Sequence, residues 1–114
     1  MVTPSAGSVV LVPFPFSDLS NSKLRPAVAL GDAGRGDWIL CQITSKPYAD
    51  PLAIELDNNS FAMGSLQVVS YARPGKLFTA SQILTVRQVG TLKPDALKQV
   101  IYAVVRLLRR SVKP

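Results

Sequence analysis

Histidine is missing from all 114 residues. With it go the commonest general acid–base at neutral pH and the commonest metal ligand. Zinc sites, Cys–His pairs and Ser–His–Asp triads are therefore excluded. Cysteine is nearly missing too: Cys41 stands alone in the apolar stretch "WILCQI". A lone cysteine makes no internal disulfide, which fits a reducing compartment. Its setting reads as that of a small buried hydrophobe rather than a nucleophile. Acidic residues are scarce: 7 Asp and Glu face 13 Lys and Arg, a net charge of +6. No apolar run is long enough to cross a bilayer. Prolines break the one in "MVTPSAGSVVLVPFPF", which also carries no basic leader. The expectation is a cytoplasmic protein with no membrane contact.

What is present describes a globular chain. Hydrophobic residues make up 47% and charged residues 18%, a balance of folded rather than disordered segments. The length suits one domain over 1–114, large enough to bury a core. The basic excess favours a polyanionic partner: nucleic acid, a membrane surface or an acidic protein. Charge alone does not choose among them.

Along the chain, "GSVVLVPFPF" reads as a strand that Pro13 and Pro15 force out of the sheet. "SDLSNSK" is a loop of turn residues. "RPAVAL" is a second strand with Pro26 at its first residues, and "GDAGRGD" a glycine-rich turn. "WILCQITS" is apolar on both faces and predicts a central strand. "LAIEL" alternates as a half-buried strand does, and "DNNSFAMGS" reads as a loop. "LQVVSY" and "KLFTAS" predict two short strands around "ARPG", and "LTVRQVGTL" the last one. The period then changes. Leu97, Val100, Ile101, Val104, Val105 and Leu108 follow helical spacing. Pro94 and Asp95 suit a helix start; Arg106, Arg109 and Arg110 suit its end. The class is mainly β: a small curled sheet or barrel with a C-terminal α-helix.

Polar residues gather where strands meet loops. Arg25 opens the second strand; Thr44, Ser45 and Lys46 close the third; Arg73 and Lys76 flank "RPG". A guanidinium matches two phosphate oxygens at once. Phe14, Phe16, Tyr48, Phe61 and Tyr71 lie near loops, where aromatics stack on unpaired bases. The bland alternative for Arg25 is a strand-end ion pair with Asp18 or Asp57.

Three blocks carry a family resemblance. "GSVVLVPFPFSDLSNSKLRPAVAL" resembles the opening of the MazF/PemK-like toxins of type II toxin–antitoxin pairs: a glycine–apolar strand, a variable loop, then "RP" and a second apolar strand. "WILCQITSK" is similar to that family's third strand, which ends in Thr or Thr-Ser. "GSLQVVSYARPGKLFTAS" resembles a stretch of one PemK-like subgroup. The order and spacing of the blocks cover nearly the whole chain.

The resemblance implies an SH3-like barrel, a homodimer, an acidic antitoxin as partner, and cleavage of single-stranded RNA with no metal and no cofactor. It puts the catalytic arginine on Arg25 and the hydroxyl residue on Thr44. RNA contacts fall on Phe16, Ser22, Lys23, Ser45, Lys46, Arg73 and Lys76. One departure stands out. Where some members carry an aspartate assigned as base, this chain has Ser70, Tyr71, Ala72 and Arg73. Asp18 is a substitute to consider; the general base and acid stay unassigned. Two other functions fit the same fold: the non-cleaving action of the related gyrase-poisoning toxins, and a plain SH3-like binding module.

Overall fold

A computed structural model describes residues 3–15, 22–47 and 49–112. The strands are β1 (Ser8–Pro15), β2 (Ser22–Gly34), β3 (Asp37–Thr44), β4 (Ile54–Leu56), β5 (Phe61–Gly64), β6 (Ser70–Ser81) and β7 (Arg87–Leu92). One helix, α1 (Pro94–Arg109), follows them. All seven strands form one sheet in the order β4-β6-β3-β2-β1-β7-β5, with every pair antiparallel.

The chain itself dictates that the sheet curls. Its edge strands β4 and β5 are consecutive, joined only by Asp57–Ser60. Laid flat, seven strands would hold their edges about 29 Å apart, six spacings of about 4.8 Å. The stretch from Leu56 to Phe61 reaches at most about 17 Å when extended. The sheet must therefore close on itself, and a nearly closed barrel results. The join is tied by a capping box: the Asp57 carboxylate accepts from the Asn59 N–H at 2.8 Å, and the Asp57 N–H donates to Ser60 Oγ at 3.1 Å. Where β5 crosses β7, bulk is forbidden. A Cβ on Gly90 would lie 2.7 Å from the Met63 carbonyl oxygen.

Strand periodicity sends alternate residues to two packed clusters. Val9, Val28, Cys41 and Ile43 face one, which α1 completes with Ala96 and Val100. Val10, Val12, Ala27, Ala29, Trp38 and Leu40 face the other. The "WILCQITS" strand is central, as its pattern predicts, between β2 and β6.

Several boundaries differ from the sequence expectation, each for a local reason. β1 does not leave the sheet at Pro13; it stays paired with β2 as far as Pro15↔Ser22. Its β7 partner ends at Leu11, so the prolines lie on a stretch paired on one side only, where a missing N–H is tolerated. β2 starts before Pro26, at Ser22. The β2–β3 hairpin turns on Arg35 and Gly36, both at positive φ (58° and 80°), as a two-residue primed turn requires. "ARPG" is no turn: β6 runs straight through it, and the surplus residues between Ala72 and Leu77 are absorbed as an irregularity opposite Cys41–Ile43. "LQVV" lies outside β6, while "FAMG" is β5 rather than loop.

The helix holds as read, with Pro94 in its first turn, Asp95 beside it, and Arg106 and Arg109 in its last turn. Its buried stripe is rotated from the expected one. Ala96, Val100, Ala103 and Val104 are buried, whereas Val105 and Leu108 face outward. The two alanines let α1 lie close against β6, β4 and β7.

Candidate functional site

The β2–β3 ladder ends at Ala27↔Gln42. Past that point β2 stays with β1, while Ile43 and Thr44 pair with Ala72 and Tyr71 of β6. Pro26, with no N–H to give, stands where the two strands part. Their parting opens a cleft of about 250 Å3, lined by Leu11, Arg25, Pro26, Ile43, Thr44, Ser45, Leu66, Val68 and Ser70.

Arg25, Thr44 and Ser45 thus come together on one cleft. Arg25 is exposed on β2. Thr44 ends β3, and its Oγ1 accepts from the Lys46 N–H at 3.1 Å. That bond uses an oxygen lone pair and leaves the hydroxyl proton for donation. Ser70 is a lining residue that residue-type reasoning passed over. It is buried, with Oγ donating to the Val68 carbonyl at 3.1 Å. Its signal was its place in the "SYARPG" block. The described lining contains no carboxylate. Among the described residues no three of Cys, Asp or Glu cluster closely enough to hold a metal ion.

Lys23, Lys46, Arg73 and Lys76 do not line this cleft. Lys23, Lys46 and Lys76 are exposed elsewhere on the strands and their ends. Ser22 is described in its backbone alone, paired with Pro15. Phe16, Asp18 and Tyr48 lie outside the described residues. Arg73 is engaged: its Nε donates to Asp50 Oδ2 at 3.1 Å, with side chains 19% and 14% exposed. The Leu52 N–H and then the Arg73 guanidinium hold the Asp50 carboxyl below its usual range. The Arg73 carbonyl accepts from Cys41 Sγ at 3.1 Å. Burial pushes the Cys41 thiol up to about 12, against a smaller opposing effect of that bond. The thiol stays protonated, a core group and not a nucleophile.

Two aromatics are committed to packing. Phe61 is buried in the core, and Phe14 meets the edge of Phe78 with centroids 4.6 Å apart. Tyr71 is half-buried on β6. A larger groove, about 580 Å3, lies on the outer face of α1 among Tyr102, Val105, Arg106 and Arg109. It is separate from the Arg25 cleft and lined by no hydroxyl except that of Tyr102.

Comparison with known proteins agrees with the fold. Residues 5–108 match the family model described as PemK-like, MazF-like toxin of type II toxin–antitoxin system. A MazE–MazF crystal structure from Deinococcus radiodurans superposes with a TM-score of 0.76 at 21% identity, covering 97% of this chain and 100% of that one. An endoribonuclease in complex with its cognate antitoxin, from a mycobacterial species, gives 0.71 at 13% identity, with 100% of both chains covered. The Mycobacterium tuberculosis toxin MazF-mt6 gives 0.69 at 14%, covering 89% and 95%. A search of curated proteins finds no match.

Proposed function

The chain belongs to the PemK-like, MazF-like toxins of type II toxin–antitoxin systems, and from that premise we propose that it is a metal-independent endoribonuclease cutting single-stranded RNA at selected sequences. The observation that carries this is the shared cleft of Arg25 and Thr44. RNA brings its own nucleophile. Its 2′-oxygen attacks the adjacent phosphorus and gives up its proton; the 5′-oxygen leaves and takes one. The products are a 2′,3′-cyclic phosphate and a 5′-hydroxyl. No activated serine and no metal-bound water is needed, which suits a chain without histidine.

A guanidinium is a fixed cation and a poor proton donor, and Arg25 brings one to the cleft. It acts as an electrostatic clamp on the equatorial oxygens rather than as a proton donor. Thr44 donates its hydroxyl to a phosphate oxygen, and Ser45 lies next to it as a further donor. Lys23 and Lys46 supply positive charge near the ends of β2 and β3, and Lys76 supplies it within β6, as contacts for an RNA backbone. No group is assigned as base or acid.

An acidic, largely disordered antitoxin segment is the expected inhibitor. The motives are the +6 charge and the antitoxin complexes among the structural neighbours. A homodimer and a cytoplasmic setting complete the proposal. No helix among the described residues is long and apolar enough to cross a membrane.

The test is cleavage of single-stranded RNA in EDTA by purified protein, with end groups mapped. Wild type should leave 5′-hydroxyl ends, and Arg25→Ala should leave the RNA intact while staying folded. Equal cleavage by both would mean a contaminant. The absence of a carboxylate from the described cleft lining favours one competitor, a non-cleaving toxin that acts through α1. A growth assay separates them: Arg25→Ala relieves toxicity if RNA is the target, Arg109→Ala if the helix face is the weapon.

A further inference from the structure

The cleft has a polar neighbour. Val68 on its rim is also a wall of a second recess of about 250 Å3, whose other walls are Asp57, Asn58, Asn59, Gln67 and Val69. Ser65 ties the Asn58 side chain and the Gln67 backbone together at its edge. Ser65 Oγ donates to Asn58 Oδ1 at 2.7 Å and accepts from the Gln67 N–H at 2.8 Å. With its oxygen engaged, Asn58 presents its amide N–H donors. Gln67 sits at φ 69°, a left-handed conformation that a non-glycine residue keeps when its surroundings hold it. The Ser65 bond does so here. Asn58, Asn59 and Gln67 are exposed, and Val68 and Val69 expose 61% and 48% of their surface.

This lining has two characters. The valines offer an apolar wall; the amides and the carboxylate offer donors and acceptors in one rim. A nucleobase has the matching pair, a flat apolar face and a hydrogen-bonding edge. Asp57 repels a phosphate, so the recess does not extend the anion site. Its volume is below the roughly 300 Å3 at which pockets for larger ligands begin. A whole cofactor is therefore a poor fit.

We propose that the recess holds one base of the RNA strand whose scissile phosphate lies at Arg25 and Thr44, and that Asn59 and Gln67 select it. This rests on the nuclease function above and adds a position at which the cleavage motif is set. A site built to hydrogen-bond a ligand discriminates strongly against one that leaves its groups unpaired. An amide that contacts the base edge therefore acts on sequence choice.

The experiment compares wild type, Asn59→Ala and Gln67→Gly on one long RNA of mixed sequence in EDTA, with the 5′-hydroxyl ends sequenced. Glycine is chosen at 67 because it accepts the backbone conformation there. Thermal melts confirm that each variant is folded. Base preference at one motif position should relax by roughly tenfold, while preference at the other positions persists. A cleavage profile identical to wild type in both variants overturns the recess and leaves the nuclease standing. So does a uniform loss of cutting with the motif unchanged, since that is what a merely structural role would give. If wild type itself makes no cuts, the nuclease function falls and the base recess with it.

Discussion

The chain contains two Arg-Pro pairs in one sheet, and the strand pairing around them differs. Arg25-Pro26 lies where two strands part, with the arginine exposed on a cleft beside Thr44 and Ser45. Arg73-Pro74 lies inside β6, with the proline buried and the arginine bound to Asp50. The dipeptide is the same; the strand pairing differs. At Pro26 a neighbouring ladder ends and space is left beside it. At Pro74 the surplus residues bulge and the space is filled, even to the Arg73 carbonyl accepting from Cys41. An arginine stands exposed on a cleft where strand pairing stops, and is tied into the sheet where pairing is patched.

The largest effect should fall on the first pair. Arg25→Ala should lower the RNA cleavage rate roughly 100- to 1,000-fold, the usual consequence of losing a preorganised stabilising donor. Its melting temperature should stay within a few degrees of wild type, because a contact made by an exposed arginine is worth roughly 0–1 kcal/mol. A large drop in stability would mean that Arg25 is structural after all, and the contrast between the two pairs would vanish. Next comes Thr44→Val, which keeps the β-branched shape and removes the hydroxyl. A hydrogen bond to a charged group is worth roughly 1.5–3 kcal/mol, so the rate should fall roughly 10- to 100-fold. Single-turnover kinetics on a short RNA containing one cut site measure both.

How much of this was legible beforehand follows from what each residue depends on. β3 was readable because it contributes to the packing on both faces of the sheet, which writes the apolar residues Trp38, Ile39, Leu40, Cys41 and Ile43 close together. The α1 start was readable because Pro94 and Asp95 act locally. Arg25 beside Thr44 came through the resemblance: neither residue's type says that strands 2 and 3 diverge. "ARPG" misled because Pro and Gly mark turns in isolation, yet a bulge in a long strand uses the same residues. The Asp50–Arg73 ion pair joins residues 23 apart, a separation at which no sequence period operates. Val105 and Leu108 looked like core because helical spacing fixes which residues share a face, not which part of that face meets the sheet.

Arg73→Ala probes the second pair. The partly buried ion pair should cost about 1–2 kcal/mol on removal, read as a lower midpoint in urea. Cleavage per folded molecule should remain near wild type, because Arg73 does not line the cleft. A variant of normal stability that fails to cut RNA would reverse the assignment and move Arg73 into the RNA contact surface.

The smallest effect is in the pH dependence of that same pair. The Asp50 carboxyl is held below its usual range by the Leu52 N–H first and the Arg73 guanidinium second. A depressed carboxyl binds fewer protons folded than unfolded, so its contribution to stability is complete above the unfolded value of about 3.9. It is lost as pH falls from there through the folded value. Asp50→Asn keeps the shape and cannot titrate. The stability difference between wild type and this variant should therefore be constant from neutral pH down to about 5, then shrink as pH falls below about 4. Urea titrations at a series of pH values measure it. A difference that persists unchanged into strong acid would mean that the Asp50 charge contributes nothing to stability.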